Sequence, residues 1–206
     1  MKKKILIFGN GDDANVVTSE LEKFKDNKIV ARLKNDKEIL SYKNRHNSIH
    51  GIIAVGSNYL REKIYKLVKK NYPNIKWLKL ISKNAIISKN VKVGEGSIIM
   101  SGVIINTGAI IGDSCSINTG SIIEHDNKFQ NFSSCGPGVI TGGNVIVGKR
   151  SYLGIGSTIK DKIKIGYDTV IGAQSYVNKN CGNNLVFFGI PAKKMSKRKK
   201  SDPYFK

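Results

Sequence analysis

The sequence predicts a mixed chain: a small N-terminal α/β (Rossmann-like) domain followed by a parallel β-helix wound from six-residue repeats. Two observations carry this. Strand-like and helix-like apolar periods alternate over residues 1–80, and a period of six replaces them from Ala85 to Asn180.

In the first part, "KILIF" reads as a buried strand, and Ala14, Val17, Leu21 and Phe24 then recur at helical spacing. "KIVARL" is a second strand and "HGIIAVG" a third. Ser57 is placed to cap the next helix, whose stripe is Leu60, Ile64, Leu67 and Val68, and "WLKLI" closes the unit. Alternation with such short turns predicts a small parallel sheet with helices on its faces.

From Ala85 the chain divides without slip into 16 hexads, AIISKN through SYVNKN. The third position is Ile, Val or Leu in 13 of them, with Phe129, Cys135 and Thr141 the exceptions, and the first position is mostly small. One aliphatic per six residues implies short parallel strands whose aliphatics point into a central stack. Three strands close a triangular coil of 18 residues, so the hexads predict a little over five coils at steps of about 4.8 Å. Open strand edges at the two ends need cover, which falls to the first domain and to the segment after Asn180. The predicted domains are 1–80, 81–192 with its closing segment, and a basic tail, 193–206, read as a solvated end.

Lys and Arg number 35 against 15 Asp and Glu, a net charge of +20. This suits nucleic acid, an anionic membrane or small phosphorylated ligands without choosing among them. Abundant Lys, Ile and Asn also fit biased codon usage with no selected contact. The apolar run before Gly9, Ile5 to Phe8, has only four residues, too few for the apolar core of a signal peptide, and no apolar run approaches the ~20 residues of a membrane span. A cytoplasmic location is expected. Cys115, Cys135 and Cys181 show no C-x-x-C spacing and read as reduced thiols, two of them in the core.

Chemistry concentrates at Glu124-His125-Asp126. A lone tripeptide of this kind is usually a solvated turn. Here, however, 18-residue coils stack Gly142, Gly143 and Asn144 beside these three, so the histidine faces a glycine pair. A glycine backbone leaves room for a ligand and exposes an N–H able to stabilise developing negative charge. A neutral imidazole can take a proton from an attacking amine or hydroxyl, and a neighbouring carboxylate can fix its tautomer.

The hexads resemble the left-handed β-helix of hexapeptide-repeat acyltransferases, and the left hand is implied by that resemblance alone. "IFGNGDDANVV", "GSNYLREKI", "INTGSIIEHD", "GGNVIVG" and "FFGIPAKKM" further resemble the sialic acid O-acetyltransferase family over nearly the whole chain. That family includes N-acetyltransferases of nucleotide-linked 4-amino-4,6-dideoxy sugars of the bacillosamine and perosamine type. The resemblance implies His125 as general base, Asp126 as its support, and Asn118 and Glu124 lining the amino-sugar site. It implies that the Gly143 amide meets the acetyl-CoA thioester beside Gly142, and that Ile155 and Ala173 lie along the pantetheine arm. It also implies a homotrimer with the donor in the groove between β-helices, and a nucleotide held by the N-terminal domain.

Three positions depart from the pattern. Asp13 stands where a ligand-facing histidine is usual, Asp126 where Glu also occurs, and Ser134 where some members carry a second histidine. The first leaves the nucleotide open.

Gly9-Asn10-Gly11-Asp12-Asp13-Ala14 fits G-x-G-x-x-[G/A], a weak match whose carboxylates would crowd a pyrophosphate but can bond a base, ribose or amine. Asp36 and Lys37 read as a nucleoside contact or a plain turn. His46 and His50 lack a third ligand, and a single histidine in the coils disfavours a zinc site. Lys193 and Lys194 are placed to attract CoA phosphates. The sequence therefore predicts an acetyl-CoA-dependent N-acetyltransferase of a nucleotide-linked amino sugar, docked between the domains, with no metal. O-acetylation of a sialic acid or related sugar is the alternative. A non-catalytic scaffold or polyanion binder is a further one, although stacking aromatics at the tail are confined to Tyr204 and Phe205.

Overall fold

The computed structural model describes residues 2–43 and 49–204. The chain forms two compact units, Met1–Lys79 and Leu80–Lys206. Among the described residues no helix is long and apolar enough to cross a membrane.

The first unit holds β1 (Lys3–Phe8), α1 (Asp12–Glu22), β2 (Asn27–Leu33), α2 (Asp36–Ser41), β3 (His50–Ile53), α3 (Asn58–Asn71) and β4 (Lys76–Trp77). All pairings are parallel, in the order β2-β1-β3-β4. The central strands β1 and β3 are buried while the edge strand β2 is mostly half-buried, and Leu6, Phe8, Ile53, Val68 and Trp77 share one cluster. Ser57 caps α3 as predicted, its Oγ accepting from the Leu60 N–H at 3.3 Å. Leu60 itself is 45% exposed, and Asn58, Arg61 and Glu62 take the buried positions instead. The short α2 replaces the turn considered at Asp36-Lys37; Asn35 Oδ1 accepts from the Glu38 N–H at 2.9 Å and Glu38 Oε2 from the Lys34 N–H at 2.9 Å.

Because β2 and β3 flank β1 on opposite sides, the loops after β1 and β3 meet at the point where strand order reverses, where open α/β sheets form a ligand crevice. The approach is close: a Cβ on Gly9, whose φ is +137°, would lie 2.3 Å from the Ala54 carbonyl oxygen.

The second unit is the predicted parallel β-helix. Two-residue strands begin at every sixth residue from Leu80–Ile81 to Tyr176–Val177, and each pairs with the strand 18 residues away. They form three parallel sheets of five, six and eight strands, the last including the closing hairpin. Third-position side chains make one continuous core, in which Phe129, Cys135 and Thr141 are as buried as the aliphatics. The coil starts one hexad earlier than the repeat count suggested. "WLKLI" is split, Lys76–Trp77 closing the first unit and Leu80–Ile81 pairing with Ile98–Ile99 in the coil. All three cysteines are buried and free, where two were expected in the core.

The C-terminal edge is covered as anticipated. Leu185–Gly189 adds to the eight-stranded sheet beside Val170–Ile171, and Ala192–Lys197 returns antiparallel to it. The segment read as a solvated tail is thus structured through Tyr204. Arg198 is buried and donates to the Asp168 carbonyl at 2.9 Å, and Tyr204 stacks on Tyr152 with centroids 4.5 Å apart. Phe205 lies outside the described residues.

Candidate active site

Glu124-His125-Asp126 turns the chain from the six-stranded to the five-stranded sheet. Asp126 adopts φ +59°, a left-handed conformation that Asp tolerates, and its Oδ2 lies 2.9 Å from His125 Nδ1. With Nδ1–H donating to that carboxylate, the lone pair on Nε2 is free to accept a proton. The two side chains are 50% and 55% exposed, so substrate has access.

The imidazole lies over Gly143, one coil on. A Cβ there would stand 2.4 Å from His125 Nε2 and 2.5 Å from Cε1, so only glycine leaves the ring its place. The Gly143 N–H has no hydrogen-bond partner among the described residues. The Asp126 carboxylate lies over Gly108, one coil back, whose Cβ would come 2.2 Å from Oδ1. The pair is therefore seated between two glycines, of which sequence reading found one.

Glu124 takes a different role from its neighbour. Its Oε2 accepts from Asn106 Nδ2 at 2.9 Å in the preceding coil. Asp126 is the carboxylate that holds the ring.

The turn itself is fixed by Asn127, also missed in the sequence. Its Nδ2 donates to the carbonyls of Glu124 at 2.6 Å and Gly142 at 2.9 Å, while its Oδ1 accepts from the Val145 N–H at 2.9 Å. An asparagine at the normally small first hexad position was the available signal.

Not every predicted residue joins this corner. Asn118, Ile155 and Ala173 occupy the turns from the eight-stranded to the six-stranded sheet, a different edge of the triangle. Ile155 is exposed there, and Asn118 Nδ2 donates to the Cys135 carbonyl at 2.8 Å. Ser134 is on the eight-stranded sheet. Lys193 and Lys194 are exposed on the final strand, opposite Phe188 and Phe187.

In the first unit, Gly9, Asn10 and Gly11 form the loop after β1, and Asp12 and Asp13 open α1. A Cβ on Gly56 would meet Asp13 Oδ2 at 2.9 Å, so Asp13 lies over the loop after β3. That loop is held from inside by Arg61, 2% exposed, which donates to the Val55 carbonyl at 2.9 Å, the Gly56 carbonyl at 3.3 Å and Asn58 Oδ1 at 2.5 Å. Asp36 pairs with Lys63 at 3.3 Å, and Lys37 is exposed.

His50 is depressed below the ordinary histidine range by burial, then by Lys3 and Lys76. His46 lies outside the described residues. Among the described residues no group of three or more His, Cys, Asp or Glu side chains is arranged to hold a metal.

The chain resembles solved structures along nearly its whole length. A His-to-Ala variant of GDP-perosamine N-acetyltransferase from Caulobacter crescentus, in complex with CoA and GDP-perosamine, is 28% identical, with a TM-score of 0.87 over 94% of this chain and 97% of that one. The acetyltransferase domain of PglB from Neisseria gonorrhoeae is 21% identical, with a TM-score of 0.83 over 94% and 100%. WeeI from Acinetobacter baumannii is 20% identical, with a TM-score of 0.82 over 94% and 100%. The chain shares the fold of these acetyltransferases. No protein-family model matches it. Its coil matches the left-handed β-helix of those structures.

Proposed function

We propose that the protein is an acetyl-CoA-dependent N-acetyltransferase acting on the amino group of a nucleotide-linked 4-amino-4,6-dideoxy sugar. The observation that carries this is the His125–Asp126 pair seated over Gly143, in a chain that matches a GDP-perosamine N-acetyltransferase end to end.

The sugar nitrogen attacks the thioester carbonyl carbon, and His125 Nε2 takes the proton the amine sheds. The Gly143 N–H stabilises the tetrahedral oxyanion. Collapse breaks the C–S bond, and the departing thiolate recovers the proton from the imidazolium, leaving amide and free CoA. Asp126 holds the ring in the tautomer that leaves Nε2 to accept. The nucleotide is held by the first unit, where the loop 9–13 and the segment Asp36-Lys37 lie at the carboxyl ends of β1 and β2.

The active assembly is a homotrimer. His125 and Gly143 occupy one corner of the triangle, while Ile155 and Ala173, assigned to the pantetheine arm, occupy another. A donor touching both sets is served by corners of neighbouring chains. The six-stranded sheet between these corners presents Ile86, 66% exposed, and Ile140, 43% exposed, a face suited to a neighbour.

The test is incubation with acetyl-CoA and a panel of nucleotide-linked 4-amino sugars, following thiol release, with His125→Ala in parallel. Release with one amino sugar, lost in the variant, supports the reading. Release only with sugar hydroxyls turns it to O-acetylation, and a fully active variant removes His125 as base.

A further inference from the structure

The five-stranded sheet carries a cavity of about 490 Å³ that the proposed reaction does not use, within the size range of small-molecule sites. Its apolar floor is Ile110 and Ile146, outward residues of two strands separated by the strand carrying Lys128. Lys128 stands between the two isoleucines in the same outward row, its stem completing the floor, and Gln130, Asn131 and Lys149 also line the cavity.

What distinguishes this cavity is its donor balance. Gln130 Oε1 accepts from the Lys149 N–H at 3.0 Å, and Asn131 Oδ1 accepts from the Asp113 N–H at 3.0 Å. Both carboxamide oxygens are thereby committed to backbone, while both NH2 groups have no partner among the described residues. Lys128 is exposed and has no partner among them either. Lys149 lies with its ammonium 5.7 Å from the Phe132 ring centroid. No carboxylate lines the cavity, and the neighbouring Asp113 directs Oδ1 to the Glu95 N–H at 2.9 Å. Two ammonium groups and two amide donors around an aliphatic floor select a ligand that is rich in acceptors, anionic and flat on one face.

We infer that this cavity is a binding site for a nucleoside phosphate, separate from the His125 corner. The phosphate meets Lys128, Lys149 and the carboxamide NH2 groups, and the base lies on Ile110 and Ile146. The inference does not depend on the acetyl-transfer reading, because its residues are distinct and its readout is binding.

Calorimetric titration of the protein with ADP and GDP at low salt tests it. Binding that survives His125→Ala and weakens about tenfold in Lys128→Gln and again in Lys149→Gln is the expected result. Ile110→Asp, which puts a carboxylate on the floor at an exposed position, abolishes it. Inorganic pyrophosphate as a third probe binds more weakly than either nucleotide, since it gains nothing from the floor. Binding indifferent to both Lys128→Gln and Lys149→Gln overturns the inference. Circular dichroism of each variant ensures that a loss of binding is not a loss of fold.

Discussion

Replacing Gly143 with alanine isolates the geometry on which the proposed chemistry rests. The added carbon would stand 2.4 Å from His125 Nε2, 2.5 Å from Cε1 and 3.0 Å from Cδ2. Carbon contacts settle near ~3.5 Å, so the imidazole must withdraw by about 1 Å. Misplacing a reacting group that far costs on the order of 10²-fold in rate. Stability should change by less than about 1 kcal/mol, because a half-exposed ring can swing into water. Gly142→Ala is the control, since its Cβ would meet backbone, the Asp161 nitrogen at 2.6 Å and Cα at 2.9 Å, which cannot swing aside. It should destabilise by about 1–3 kcal/mol. Thiol-release kinetics with denaturant midpoints on both variants separate the two effects. In a His125→Ala background, Gly143→Ala should add little. A Gly143→Ala protein with parental kcat/KM, or one as destabilised as Gly142→Ala, would refute the seating of His125 as the basis of activity.

Asp126→Asn keeps the shape but can turn its NH2 to Nδ1 and fix the other tautomer, so kcat should fall about ten- to a hundredfold in steady-state assays, while Asp126→Glu retains part of the activity. Burial raises the Cys135 thiol to about 11 and the Cys181 thiol to about 12, from 9.0. Folded protein should therefore resist alkylation at pH 8 and react at all three cysteines only when unfolded, as mass spectrometry would read. Because the unfolded thiols ionise first, denaturant midpoints should hold below about pH 9 and fall as pH rises toward 11–12. Asp168→Ala removes the partner of Arg150, bonded at 2.7 Å to Oδ1 and 2.5 Å to Oδ2, and leaves a mostly buried guanidinium without its carboxylate. A loss of about 3 kcal/mol in chemical denaturation is expected.

The coil was legible because one aliphatic in six is a period no helix or ordinary strand sustains, and the 18-residue register follows from it. That register put Gly143 beside His125 before any coordinates. The start of the coil was less legible: Leu80–Ile81 continues an apolar run begun by Trp77, and hydrophobicity alone does not mark where one core ends. Leu60 fitted an apolar stripe, but the buried turn of α3 is polar because Arg61 and Asn58 hold the loop after β3, a tertiary demand that overrides periodicity. The tail looked solvated by composition. Arg198 and Tyr204 reach partners 30 and 52 residues back, a pairing composition does not encode.

Asn127 shows how far the same register can be pushed. In six other hexads the first position is serine, and Ser97 Oγ donates to the Gly112 carbonyl at 2.7 Å and accepts from the Cys115 N–H at 2.9 Å, partners 15 and 18 residues on. Asn127 makes the same two bonds to Gly142 and Val145, and its second N–H donates to the Glu124 carbonyl at the head of the Glu124–Asp126 turn. A hydroxyl has one proton to give and a carboxamide has two. Asn127→Ser should therefore preserve coil stacking while leaving one of the two carbonyls unpaired, at a cost of about 1 kcal/mol. Asn127→Ala strands all three groups, for about 2–4 kcal/mol. If the second N–H serves to hold the turn, kcat should fall in the serine variant out of proportion to its small loss of stability, with KM for acetyl-CoA little changed. A serine variant of parental kcat would assign Asn127 to the coil alone, and the placement of His125 would then rest on Gly108, Gly143 and Asp126.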